Sequence, residues 1–333
     1  MIGVDPRKAH MSTARFRTKI LASTLTTVAL LAAACGGGDV EDEGSGPTSA
    51  AGYNLTADQN RITTDEVDSI AAKVPQQIRD RGTLVVTGSA GSVPPLRFYA
   101  DDDKTLIGTE TDFAYLIGDV LGLKVDLQAA DWAQNFVRID SGEADAFISN
   151  VTVTEERKEK YDFSTYRLDT VAFETKKGSG IQIKEPKDVA GLKIAVSSGT
   201  NQEALLVKWS EQNVAAGLEP TDITYYQNTT DYYLPLASGR IDAYFGPNPS
   251  SSFHVAQAGE TEIAGTFSGA GDALQGEIAV LTKKDNGLIT AVNEAINHVI
   301  ENGTYAQVLD RWNIANEAVN TSVVNPPGLP KTS

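Results

Sequence analysis

The chain has 333 residues, a formal net charge of −16 and one cysteine. Such acidity argues against nucleic acid and against electrostatic adhesion to anionic lipid. With Cys35 alone no internal disulfide is possible, so the fold must rest on hydrophobic cores, and the length favours more than one.

Residues 1–34 carry Arg7, Lys8, Arg15, Arg17 and Lys19, then an apolar stretch from Ile20 to Ala34. This is the layout of a secretory signal, too short for a permanent membrane span. Ala32, Ala33 and Ala34 precede Cys35 in a pattern that resembles a bacterial lipoprotein cleavage site, with Ala32 where leucine is usual. Cys35 is then expected to be the lipidated N-terminus of an exported protein on the outer face of the bacterial cytoplasmic membrane; the alternative is a signal cleaved nearby that leaves Cys35 an incidental free thiol. Residues 35–60 are rich in Gly, Ser, Asp and Glu and read as a solvated tether.

Beyond the tether, short β-branched runs alternate with helical patterns. Strands are expected at Thr83–Thr87, Leu123–Leu127, Ala146–Ser149, Val171–Thr175, Lys193–Val196, Ile223–Tyr226 and Ala243–Phe245. The helices between them show core stripes such as Phe113, Leu116, Ile117, Val120 and Leu121, or Leu288, Val292, Ile296, Val299 and Ile300. This order predicts βα units with mostly parallel sheets. Ser141-Gly-Glu-Ala-Asp-Ala-Phe147 and Ser238-Gly-Arg-Ile-Asp-Ala-Tyr244 form a weak internal repeat, each a helix stop feeding a strand, and point to two similar α/β lobes.

Two stretches have the chemistry of anion sites. In Asp145–Ser164 a strand ends in polar residues, Thr152 with Glu155 fits a helix-start pattern, and Arg157 follows one turn in. Free amides, the Thr152 hydroxyl and the Arg157 guanidinium would converge on one carboxylate. The alternative is a capped surface helix. Likewise Ser197-Ser198-Gly199-Thr200-Asn201-Gln202 follows a strand and opens a helix, the place where open α/β sheets bind anions; the alternative is an ordinary Thr200 cap. No catalytic constellation, cofactor motif or metal-ligand spacing is recognisable; beyond residue 34 the only histidines are His254 and His298.

The first of these stretches resembles the signature of family 3 extracellular solute-binding proteins, the amino-acid receptors of ABC importers. Further matching pieces are Pro94-Pro95, Gly108 with Asp112, Trp132, Gly199-Thr200-Asn201-Gln202, Ser238-Gly239-Arg240, and Asn302-Gly303-Thr304-Tyr305 with Trp312, so that the resemblance spans about Gly82 to Trp312. It implies a type II periplasmic-binding-protein-like fold, two lobes joined by a two-segment hinge. Residues 61–175 and 276–333 would form lobe 1 and residues 179–272 lobe 2, with crossings near Thr175–Gly180 and Leu274–Glu277, and Pro326-Pro327-Gly328 would mark the end of compact structure.

It also implies a non-enzymatic receptor without a cofactor, acting as a monomer, that closes on a small carboxylate-bearing solute and presents it to an ABC permease. Thr152 and Arg157 would hold the carboxylate from lobe 1 with Gly199 and Thr200 amides from lobe 2, and Asn150, Asn201 and Trp132 would line the cleft. Departures matter: Val93 and Thr109 stand where many such receptors carry aromatics, and Pro247 where they carry an aspartate for the ligand ammonium. Poor binding of free α-amino acids is therefore expected. The same fold also allows a sensor subunit for a membrane kinase or a cyclohexadienyl-dehydratase-like enzyme.

Overall fold

The computed structural model describes residues 52–89, 93–226 and 229–331. The signal segment, Cys35 and most of the tether lie outside the described residues. Two short helices, α1 (Asp68–Ala71) and α2 (Gln76–Arg81), precede β1 (Thr83–Ser89). A small antiparallel pair, β2 (Phe98–Tyr99) and β3 (Leu106–Ile107), then leads to α3 (Thr109–Val120), whose apolar stripe is buried as its spacing requires. Next come β4 (Lys124–Ala130), α4 (Trp132–Ser141) and β5 (Ala146–Phe147), with both outer strands parallel to β1.

The second half opens with β6 (Tyr161–Lys176) and continues through β7 (Lys193–Val196), α5 (Asn201–Ala215), β8 (Asp222–Tyr225) and α6 (Tyr233–Ala237). It closes with β9 (Ala243–Pro247), α7 (Asn248–Ala258) and β10 (Thr261–Ser268). β11 (Gly276–Lys283), α8 (Ile289–Glu301) and α9 (Thr304–Arg311) return to the first half. The sheet order is β4-β1-β5-β11-β6-β9-β7-β8, with β10 also on β6.

Two main cores flank the junction. One joins Leu84, Val86, Phe113, Leu116 and Ile117 to Val292, Ile296, Val299 and Trp312; the other joins Val171, Phe173, Ile194, Val196, Leu205, Trp209 and Phe245. Phe173 and Phe245 stack at 4.0 Å between ring centroids.

Three expectations are corrected. The first crossing is not a loop near Thr175–Gly180. It lies inside β6, which pairs with β11 up to Asp169 and with β10 and β9 from Thr170 and Val171 onward. Alternating Tyr161, Phe163, Thr165, Val171, Phe173 and Thr175 suit a continuous pleated strand with partners in both halves. Nor does the whole of 35–60 stand in solvent: Tyr53 is buried, donates its hydroxyl to the Trp312 carbonyl at 2.9 Å and stacks on Phe253. Finally, Pro326-Pro327-Gly328 does not end the packed chain. The Leu329 amide donates to the Val153 carbonyl at 3.1 Å, and the Glu155 amide to the Leu329 carbonyl at 2.9 Å.

Candidate functional site

After β5 the chain does not enter the α-helix expected at Thr152. Thr152 forms a bridge with Ile278, and only a single 3-10 turn, Arg157–Glu159, follows. The hydroxyl that receives the Arg157 amide is that of Thr154, at 3.1 Å. Glu155 is drawn instead to the Gly328 amide at 2.9 Å and to Lys158 at 2.8 Å. The docked C-terminal tail therefore competes successfully with the capping pattern.

That arrangement frees Arg157 to reach across the junction. Nη1 donates to the Thr152 carbonyl at 2.9 Å and Nη2 to the Gly199 carbonyl at 3.0 Å. Its guanidinium lies over the Trp132 and Phe136 rings, 5.4 and 5.5 Å from their centroids. Burial lowers the Arg157 pKa to about 10, with Asp169 and Glu156 opposing the shift, so the side chain stays cationic at neutral pH. Trp132 opens α4 and donates Nε1–H to the same Gly199 carbonyl at 3.1 Å. Gly199 adopts φ 75°, a left-handed conformation that suits glycine, and turns this carbonyl towards both donors.

The amide of Gly199 is already engaged. It donates to the Glu203 carboxylate at 2.5 Å, while Thr200 caps α5 by accepting the Glu203 amide at 3.2 Å and donates its hydroxyl to the Ser197 carbonyl at 2.7 Å. The helix start expected to hold a ligand anion thus holds a carboxylate of its own chain, which the helix dipole favours there.

Asn201 faces the junction. Its Nδ2 donates to Asp169 Oδ2 at 3.0 Å and to the Gly269 carbonyl at 2.9 Å. Thr152 donates its hydroxyl to the same Asp169 oxygen at 2.7 Å. Asp169 is 1% exposed, and its Oδ1 has no hydrogen-bond partner among the described residues. Burial raises its pKa, opposed by Thr152, Arg167, Arg157 and Asn201. Gly269 is required beside it, because a Cβ there would collide with the carboxylate.

Thr152, Arg157, Trp132, Gly199 and Asn201 are therefore brought together, with Thr200 at the edge as a helix cap. Four other sequence-selected residues are engaged differently. Asn150, at φ 54°, accepts from Arg167 Nη2 at 2.5 Å, as part of a buried cluster in which Arg167 also pairs with Glu110 and Glu317. Thr109 donates to the Pro95 carbonyl at 2.9 Å. Val93 is buried just before the Pro94–Pro95 turn, and Pro247 ends β9 and stands at the start of α7. Asp169 was missed by sequence reasoning. Its signal was a charged residue in the otherwise β-forming run Leu168-Asp169-Thr170-Val171. Among the described residues no group of three or more His, Cys, Asp or Glu side chains is arranged to hold a metal.

The model of the bacterial extracellular solute-binding proteins, family 3, matches residues 85–315. The chain is 34% identical over 237 residues to the L-cystine-binding protein TcyJ of Escherichia coli (strain K12), covering 71% of this chain and 84% of that protein. It is 28% identical over 267 residues to the arginine-binding protein ArgT of Corynebacterium glutamicum, covering 80% and 85%. Among solved structures, an ancestral arginine-binding protein bound to arginine superimposes with TM-score 0.61 at 30% identity, covering 70% of this chain and 98% of that one.

Proposed function

The chain belongs to family 3 of the bacterial extracellular solute-binding proteins, and we propose that it captures an amino acid at the junction of its two halves and delivers it to an ABC permease. Its role as a solute receptor is that of its relatives, which are binding proteins. The observation that carries the amino-acid assignment is the convergence of a cation, Arg157, and a buried acid with one unpartnered oxygen, Asp169, on residues from both sides of the junction.

In this reading the ligand carboxylate takes the Arg157 donor now given to the Gly199 carbonyl, with bidentate geometry favoured by the guanidinium fork. The ammonium takes Asp169 Oδ1, so the acid absent at Pro247 is supplied from β6. Free α-amino acids are then ligands, contrary to the expectation drawn from Pro247, Val93 and Thr109. Trp132 covers the ligand stem. Contacts from both halves favour the closed arrangement over the open one, and that difference in affinity is what couples capture to delivery.

The protein is further proposed to be lipid-anchored through Cys35, a residue outside the described ones; among the described residues no helix is long and apolar enough to cross a membrane. Mass spectrometry of the small molecule released on denaturing protein purified from its own cells tests the reading. An α-amino acid supports it, and a solute without either a carboxylate or an amine refutes it.

A further inference from the structure

Arg97 is fully buried, at 0% exposure, in the otherwise apolar run Val93-Pro94-Pro95-Leu96-Arg97-Phe98. Its Nη2 donates to the Gln128 carbonyl near the end of β4 at 2.9 Å, whereas Nε and Nη1 have no hydrogen-bond partner among the described residues. The acid that acts on it most strongly, Glu110, is itself committed to Arg167 at 2.8 Å and to the Tyr166 hydroxyl. Burial lowers the Arg97 pKa to about 10, which leaves it charged at neutral pH. A buried cation with two idle donors and no carboxylate of its own is a costly arrangement unless an anion completes it.

The place of this guanidinium matters as much as its isolation. It lies against Gly88, the penultimate residue of β1, where an added Cβ would sit 2.9 Å from Arg97 Cζ and Nε and 2.8 Å from the Ile148 carbonyl. Glycine at position 88 is what lets the side chain lie against the sheet. Gly88, Gln128 and Ile148 mark the carboxyl ends of the parallel strands β4, β1 and β5, the edge of an α/β sheet where ligands bind. From that same edge the chain continues through Ser149 and Asn150 to Thr152 and Arg157. Ser89, the last residue of β1, adds a further buried hydroxyl without a partner among the described residues, and its amide donates to Ser149 Oγ at 3.0 Å.

We infer that Arg97 forms a second anion subsite in the first half, and that the solute is an α-amino acid carrying a second carboxylate. The inference rests on the amino-acid reading above and deepens it. Arg157 takes the α-carboxylate, Asp169 the ammonium, and Arg97 the distal carboxylate through Nε and Nη1. A cationic side chain is rejected at this subsite by like charge and by the unpaired donors it leaves buried. Two ligand types share the required chemistry: acidic amino acids with a side-chain carboxylate, and disulfide-linked amino acids whose far end carries one.

The test is calorimetric titration of the purified full-length protein with glutamate, cystine, glutamine and arginine, repeated on Arg97→Gln and Arg97→Lys. Glutamate or cystine should bind at least about tenfold more tightly than glutamine and arginine, and which of the two does so separates the ligand types. Arg97→Gln should erase the preference, and Arg97→Lys should keep part of it. If glutamine or arginine binds as tightly as both dicarboxylic ligands, or if the preference survives in Arg97→Gln, the subsite is wrong while the receptor reading stands. Should none of the four bind, nor any other amino acid, both fall. If Arg97→Gln does not fold, the selectivity of the unaltered protein and of Arg97→Lys decides alone.

Discussion

Thr152 and Asn201, from opposite sides of the junction, donate to one and the same oxygen of Asp169, at 2.7 and 3.0 Å, while the other oxygen of that carboxylate has no partner among the described residues. A buried acid satisfied on one side only is poised to accept a further donor, and in the proposed function that donor is the ligand ammonium. Asp169 also lies where β6 passes from its pairing with β11 to its pairing with β10 and β9. Any change in its hydrogen bonding is therefore felt by both halves.

Replacing Asp169 by Asn should weaken amino-acid binding by about 2–5 kcal/mol, because the ammonium loses its anionic partner in a desolvated site. The fold should survive, since an amide can still accept from Thr152 and Asn201. Calorimetry gives the affinity and a thermal melt the stability. Full affinity in the Asn variant would remove Asp169 from the site.

The pH dependence follows from the raised pKa of Asp169. A folded-state pKa above the unfolded value contributes stability that is complete below the unfolded value and is lost as pH rises through the folded one. The free protein should therefore lose stability across that window, from about pH 4 upward. Bound ammonium favours the ionised carboxylate and offsets the loss, so ligand-induced stabilisation should grow with pH and shrink on acidification. Melts with and without ligand, compared with Asp169→Asn, check this; an equal pH trend in the Asn variant contradicts it.

Arg167 is held in the interior between buried Glu110 and Glu317, with half-buried Asn150 beside it. Burial opposes its charge, and Glu317 and Glu110 more than offset that, so its pKa is raised. Glu317→Ala removes one carboxylate from a buried cation and should cost about 3–5 kcal/mol of stability. Denaturant unfolding measures it. A loss below 1 kcal/mol, about the value of an exposed pair, would show that the cluster is not structurally important.

Cys35→Ala should release the protein from membranes, since the anchor proposal rests on that residue. Fractionation of cells carrying the variant reads this directly. A variant that sediments with membranes as firmly as the parent rejects lipidation at Cys35.

Much of the fold was legible because its signals are local. The stripe Phe113, Leu116, Ile117 and Val120 and the run Lys193–Val196 need only periodicity and β-branching, and both form the expected elements. What could not be read depended on partners distant in sequence. The Thr152/Glu155 pattern was overridden by Leu329 and Gly328, well over a hundred residues away, and the crossing moved into β6 because β11, β10 and β9 all pair with it. At the site, Arg157, Trp132 and Gly199 were visible as residue types in strand-to-turn positions. Asp169 and Arg97 were not, because their meaning comes from burial and from unpartnered atoms, neither of which spacing along a chain reveals. Thr109 and Asn150 were assigned by position to the cleft, yet Thr109 spends its hydroxyl on the Pro95 carbonyl and Asn150 its side-chain oxygen on Arg167.

In the proposed function the junction binds an amino-acid carboxylate through Arg157. Calorimetric titration of Arg157→Ala with the amino acid recovered from the native protein tests it most directly. The expected result is a folded variant whose affinity falls by about 2–5 kcal/mol, since the charged partner of a desolvated carboxylate is gone. Unchanged affinity in a variant that melts like the parent would contradict it and move the carboxylate site elsewhere.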